Sequence, residues 1–170
     1  RVYYRLDGGN KGVVQTVLPR RSALARPDVF QSHLRQVIVA NADQLLIVMS
    51  WREPPIWLEL VDRYLITASL NHLEAVLCIT KIDLVESQAE LREALQPYRQ
   101  MDIPILLTSA RTGVGLLQLE ETLIGKMTIL AGLSGAGKTS LLMALQPDLG
   151  LRTGAVSSSA TFRGQGRHTT

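Results

Sequence analysis

Cysteine is nearly absent. Cys78 is the only one among 170 residues, which excludes an internal disulfide. It lies in the apolar run Val76-Leu77-Cys78-Ile79, so core packing is expected of it rather than reactivity. No apolar run approaches the about 18 residues that a membrane span needs. No secretory signal is visible, and Arg1 rather than Met stands first, so the chain is expected to begin within a longer protein. Histidine is sparse too. His33 and His72 lack ligand-type neighbours and read as ordinary surface or core residues. There is no internal repeat and no Asp-x-x-Gly tetrapeptide.

Acidic residues are missing from both ends. Residues 1–26 carry Arg1, Arg5, Lys11, Arg20, Arg21 and Arg26 against Asp7 alone, and residues 152–170 carry Arg152, Arg163 and Arg167 with no acid. The net charge of +3 therefore hides an acidic middle between basic flanks. Such flanks suit a polyanion such as RNA, although solvated faces and a mobile tail fit the same pattern. The 46% hydrophobic and 19% charged content is that of an ordinary folded protein. A chain this long buries one α/β core and a small appendage, but hardly two full domains.

Strand and helix signals alternate. Val13–Leu18 reads as a strand ended by Pro19, followed by a linker from Arg20 to Asp28. Continuous apolar runs at Gln44–Met49 and Ala75–Thr80 read as strands buried on both faces. Between them, Pro54-Pro55 opens a predicted helix whose Ile56, Leu60, Val61, Tyr64, Leu65 and Ala68 recur at helical spacing. A helix over Ser87–Gln96, a strand over Ile103–Thr108 and a helix over Gly115–Ile124 follow. Then come a strand over Lys126–Ala131 and a last helix running to Leu145. This alternation predicts an α/β fold, a parallel sheet with helices on both faces. The last 20 residues, rich in Ser, Thr, Gly and Arg, read as a loop.

The chemistry concentrates in three stretches. Gly132-Leu133-Ser134-Gly135-Ala136-Gly137-Lys138-Thr139 is a complete phosphate-binding P-loop between a predicted strand and a predicted helix, with Ser140 next. Its glycines let backbone N–H groups turn inward, and the following helix points its positive end at the phosphates. Lys138 supplies a point charge for the β and γ phosphates, and the Thr139 hydroxyl suits Mg²⁺. Thr80-Lys81-Ile82-Asp83 is the second stretch: the Asp83 carboxylate can accept two N–H bonds from guanine, a pair adenine does not offer. The Lys81 stem can cover the base or ribose, whereas the plainer reading of Asp83 is a helix cap. The motif ends a buried strand, where ligands of open α/β sheets bind. Backbone N–H groups of Ser109-Ala110, at the end of the next strand, can meet the guanine O6. The third stretch is Gly166–Thr170, placed after the P-loop helix like a first switch; Thr169 and Thr170 can meet Mg²⁺ there and His168 can orient water.

The order of these motifs is unusual, because the base-reading stretch precedes the P-loop. With that order, the chain resembles the RsgA family (also called YjeQ or EngC) of circularly permuted GTPases that depend on the small ribosomal subunit. The resemblance is carried by Val17-Leu18-Pro19-Arg20-Arg21-Ser22, Ala40-Asn41-Ala42-Asp43-Gln44, Asp62-Arg63-Tyr64-Leu65, Thr80–Leu84, Gly132–Leu142 and Gly166–Thr170. It implies the end of an N-terminal OB-fold and a linker over residues 1–26, then a permuted P-loop GTPase domain over 27–170. It implies guanine binding by Thr80, Lys81, Ile82 and Asp83 and phosphate binding by Gly132 to Ser140. Lys138 and His168 are its candidate catalytic residues, with GTP or GDP and Mg²⁺ as ligands. It also implies a cytoplasmic monomer that hydrolyses GTP in late maturation of the small (30S) ribosomal subunit, with that subunit and its 16S-type rRNA as partners and no membrane. Thr80 stands where Asn is commoner in the family, while Asp83 is kept. The second switch and the ligands of the family's C-terminal zinc domain are not among these residues, so Zn²⁺ is expected only in the remainder of the parent protein. Two other readings are a GTP-switched RNA-binding module without turnover and a small-molecule kinase resembling adenylylsulfate kinase. Kinases of that type carry the loop near their N-terminus, the reverse of this order.

Overall fold

The computed structural model describes residues 2–7, 11–27 and 35–149. Its centre is a four-stranded parallel sheet. The strands are β5 (Gln44–Ser50), β6 (Glu74–Thr80), β7 (Ile105–Leu107) and β8 (Thr128–Ala131), in the spatial order β7-β6-β5-β8. Every residue of β5 is buried, as a strand covered on both faces requires. Alternate side chains enter two separate cores. Leu45, Ile47, Met49, Leu77 and Ile79 pack with Val61 and Ala68 of α1 (Leu58–Leu70) and Leu91, Leu95 and Tyr98 of α2 (Gln88–Gln100). Leu46, Val48, Val76 and Cys78 pack on the opposite face with Leu119 of α3 (Leu116–Leu123) and Leu141 of α4 (Lys138–Leu145).

The topology explains this division. The chain steps outward from β5 to β6 and β7, then returns past β5 to β8. Right-handed crossovers in opposite directions must lie on opposite faces. The point of reversal lies between β5 and β8, the place where open α/β sheets bind ligands beyond their strand ends. The P-loop turns there.

Several boundaries differ from the sequence expectation, each for a local reason. The first helix starts at Leu58 rather than at Pro54-Pro55, because a residue before proline avoids the α region and the Pro54 carbonyl instead accepts the Ser50 hydroxyl at 2.7 Å. Helix α2 passes through Pro97 to Gln100. Buried Leu95 and Tyr98, with the Tyr98 hydroxyl donating to Asp62 at 2.9 Å, hold its last turn. At its start, Ser87 accepts the Glu90 N–H at 3.3 Å as a cap. Strand β7 starts after Pro104, which has no N–H to give a ladder.

The expected linker needs correction. Its residues Ala23–Pro27 form β3, paired antiparallel with β4 (Arg35–Ala40). The pair is tied to the central unit: Ser22 donates its hydroxyl to the Ala42 carbonyl at 2.6 Å, and Arg21 reaches Asp43 at 3.1 Å. Asp43 also accepts the Met127 N–H at 2.8 Å, just before β8. Ahead of this, β1 (Val2–Leu6) and β2 (Gly12–Val17) form a separate hairpin. Both its faces are exposed, with Tyr3, Tyr4, Leu6 and Val17 all above 60%. Two strands alone are marginal in water.

Candidate functional site

A cavity of about 320 Å³ opens where β6, β7 and the P-loop end, and its walls include Lys81, Asp83, Ser109, Ala110, Arg111 and Gly137. That volume lies at the lower end of the roughly 300–1,000 Å³ typical of small-molecule sites. Two of the three sequence-predicted stretches therefore meet at one place.

Asp83 sits in a short 3-10 turn, Ile82–Leu84, reached through Lys81 in the left-handed region at φ 57°. The Ile82 N–H donates to the Thr108 carbonyl at 3.2 Å, fixing the turn to the end of β7. Ser109, fully buried, donates its hydroxyl to Asp83 Oδ1 at 2.6 Å while accepting the Thr112 N–H at 3.2 Å. On the other carboxylate oxygen, Arg111 Nε lies 3.0 Å from Oδ2. The Ser109 hydrogen bond, aided by the Arg111 and Lys81 charges, holds the Asp83 carboxyl below its ordinary pKa against the opposing effect of burial. The result is an ionised acceptor facing the cavity. The Lys81 ammonium donates to the Glu53 carbonyl, which holds its stem along one wall.

Thr80 and Ile82 do other work in this geometry. Thr80 is buried, and its hydroxyl donates to the Ala136 carbonyl at 2.7 Å. It ties the base-side strand to the phosphate loop from a position on the cavity wall. Ile82 packs against the core on the α1 and α2 side. The Ser109 N–H is likewise engaged, by the Val114 carbonyl at 3.0 Å. Ala110 is the member of that pair whose N–H has no acceptor among the described residues.

The P-loop runs from β8 into α4. Gly132 has φ 149°, and a Cβ on it would stand 2.0 Å from the Val48 carbonyl oxygen, so the loop leaves the sheet pressed against β5. Gly135 and Gly137 also have positive φ, at 78° and 89°, turning the peptide planes between Leu133 and Lys138. Helix α4 begins at Lys138, so the N–H groups of Lys138, Thr139 and Ser140 have no carbonyl one turn earlier in the helix to bond. Lys138 lies back across the loop, with Nζ 2.9 Å from the Gly132 carbonyl and 2.7 Å from that of Leu133. Partial burial lowers its pKa. Leu133, Ser134, Ala136 and Gly137 complete the loop, with Ala136 buried at 1% exposure and Ser134 exposed.

No group of three or more His, Cys, Asp or Glu side chains able to hold a metal forms among the described residues. His168, Thr169 and Thr170 lie outside the described residues, as does His33. His72 is exposed and Cys78 is buried. Sequence reasoning missed Arg111 and the Thr80 link to Ala136. The only available signal for Arg111 was a cation directly after Ser109-Ala110.

The family described as RsgA GTPase matches residues 17–170. A relative from Moorella thermoacetica, named small ribosomal subunit biogenesis GTPase RsgA, is 43% identical over 170 residues, covering 100% of this chain and 53% of the relative. A protein of the same name from Alkaliphilus metalliredigens is 37% identical over 164 residues, covering 96% and 51%. Among solved structures, YjeQ from Thermotoga maritima superposes with a TM-score of 0.72 at 38% identity, over 89% of this chain and 51% of that one. YloQ, described as a circularly permuted GTPase, gives a TM-score of 0.69 at 30% identity, over 86% and 48%. The chain thus spans about half the length of the relatives it matches. Its late P-loop and its β7-β6-β5-β8 sheet are those of a permuted GTPase domain. From motif order, sheet topology and these matches together, the chain belongs to the RsgA GTPase family.

Proposed function

We propose that this chain is the nucleotide-binding part of a GTPase that converts GTP to GDP and phosphate during late maturation of the small ribosomal subunit. The observation that carries the reading is Asp83: an ionised carboxylate, oriented by the buried Ser109 hydroxyl, on the wall of a cavity that Gly137 of the P-loop also lines. Guanine would place its N1–H and 2-amino group on that carboxylate and its O6 on the Ala110 N–H. Lys138 would leave the Gly132 and Leu133 carbonyls for the β and γ phosphates, which the N–H groups from Gly135 to Ser140 would surround. Thr139 would hold Mg²⁺, which neutralises charge developing on the phosphate oxygens. Catalysis in this scheme is positioning and charge stabilisation, with His168 orienting water and Thr169 and Thr170 meeting the metal.

The same reading assigns residues 1–26 to the end of an N-terminal β module of the OB type. The two-sided exposure of the β1–β2 hairpin supports this, since those apolar side chains need a cover. The boundary at 26/27 falls within β3, and a GTPase unit that starts nearer Arg20 would keep that strand whole. Arg5, Lys11, Arg20 and Arg21, all on exposed positions, would meet rRNA. A cytoplasmic monomer is the expected setting, and no helix among the described residues is long and apolar enough to cross a membrane. Zinc in the full-length protein would need ligands other than the described residues.

The test is GTP turnover by the full-length protein with and without small ribosomal subunits. Faster turnover on the subunit, with GTP used in preference to ATP, is the expected result. Equal use of ATP, or no stimulation, refutes the proposal. Nucleotide-dependent RNA binding with negligible turnover would instead favour the non-enzymatic switch.

A further inference from the structure

We propose that Arg111 is a gate on the guanine site, a residue that blunts base selection by competing with the base for Asp83. The proposal rests on the reading of Asp83 as the guanine acceptor. The two oxygens of that carboxylate are held from opposite sides. Oδ1 accepts from Ser109, which is fully buried and cannot leave without breaking its Thr112 contact. Oδ2 faces Arg111 at 3.0 Å, and the Arg111 side chain is 76% exposed while that of Asp83 is 12% exposed. One partner is therefore part of the fold and the other comes from solvent.

Guanine offers two adjacent donors, N1–H and the 2-amino group, and needs both oxygens. Oδ1 can accept a second hydrogen bond because an ionised carboxylate oxygen has two lone pairs. Oδ2 is where base and guanidinium collide, since a planar guanidinium beside a carboxylate occupies the same in-plane approach that the base edge requires. Guanine entry thus requires Arg111 to swing out. Hypoxanthine has the N1–H but no 2-amino group. It can use the second lone pair of Oδ1 and leave Arg111 seated. The gate therefore acts on guanine more than on hypoxanthine, and it lowers the contrast between them. An ion pair this exposed is worth about 0–1 kcal/mol, which sets the scale at up to about five-fold in affinity. A contact that weak suits a gate, which must yield to the ligand.

The experiment measures GDP and inosine diphosphate binding by titration calorimetry on the full-length protein and on Arg111→Ala, at low and high salt. Circular dichroism checks that both proteins are folded. The expected result is a rise in GDP affinity of about two- to five-fold at low salt, a smaller rise for inosine diphosphate, and convergence of the two proteins at high salt. Weaker GDP binding, an equal change for both nucleotides, or no change overturns the gate. An equal weakening would assign Arg111 a general pull on the phosphates. Asp83→Asn separates the underlying reading. If that variant keeps its preference for GDP over xanthosine diphosphate, Asp83 is not the guanine acceptor. If the preference reverses while Arg111→Ala leaves the GDP-to-inosine diphosphate ratio unchanged, the reading stands and the gate fails.

Discussion

Gly132→Ala is the sharpest test of how the phosphate loop is seated. The added Cβ would lie 2.0 Å from the Val48 carbonyl oxygen and 3.0 Å from its carbon. Both are backbone atoms, and Val48 is fully buried at the middle of β5, paired with Cys78 on one side and flanked by β8 on the other. The obstacle cannot rotate away as a side chain could. The φ of 149° adds backbone strain, because L side chains seldom adopt it. Strain of about 1–3 kcal/mol and overpacking of about 1–3 kcal/mol combine to roughly 2–6 kcal/mol. For a unit of this size, that lowers the melting temperature by about 5–20 °C. Gly125→Ala is the matched control: it also has positive φ, 73°, but a Cβ there meets nothing within 4 Å. Only the left-handed penalty of about 1–2 kcal/mol remains. Thermal unfolding followed by circular dichroism, with GDP affinity measured alongside, distinguishes the two. If Gly132→Ala melts no lower than Gly125→Ala and binds GDP as the parent does, the close seating of the loop on β5 is wrong.

Three further outcomes follow from named contacts. Thr80→Val leaves the Ala136 carbonyl without its donor, at a cost of about 1–3 kcal/mol in urea unfolding, whereas Thr80→Ser retains the bond; equal stability of the two would disprove the link. Lys138→Ala removes the charge expected on the phosphates and should weaken GTP binding about 10- to 100-fold, as calorimetry would read, with unchanged affinity ruling out that role. Burial, opposed by the Thr108 contact, pushes the Cys78 thiol from 9.0 up to about 11. Between those values the unfolded chain releases the proton and the folded chain keeps it, so stability falls as pH rises, by up to about 2.7 kcal/mol over the interval. Cys78→Ala should be less stable near neutral pH yet lose less between pH 9 and 11; parallel curves would contradict the assignment.

The sheet was legible in the sequence because its strands are buried on both faces and so appear as unbroken apolar runs. Leu45–Met49 and Val76–Ile79 need no partner to be recognised. The P-loop was legible for a different reason: its glycine spacing follows from the local turn it must make. What stayed hidden depends on distant partners. Strands β3 and β4 are short, and their pairing is set by Ser22 and Asn41, 19 positions apart in the chain, where Ser22 accepts the Asn41 N–H at 2.8 Å. Pro97 signalled a helix end that the burial of Leu95 and Tyr98 overrides. Thr80 was legible as the start of the motif and lines the cavity, but the carbonyl its hydroxyl reaches, 56 residues later, was not. Arg111 became visible only once β7 had brought Ser109 beside Asp83.

That last class of contact also explains why a rearranged chain can keep one site. The base wall comes from the ends of β6 and β7, and the phosphate wall from the end of β8, which lies on the far side of β5. No chain continuity joins the walls across that gap. Thr80 donating to Ala136 joins them directly, and Gly132 lying against Val48 seats the phosphate wall on β5, the strand between them. Strand ends keep their neighbours whichever strand comes first, provided the sheet order β7-β6-β5-β8 is preserved. Thr80→Val therefore bears on more than stability. If the two walls communicate through this hydroxyl, the variant should weaken GDP binding beyond what its loss of stability explains, and Thr80→Ser should restore it. If GDP affinity is unchanged when the bond is lost, the walls are aligned by the sheet alone.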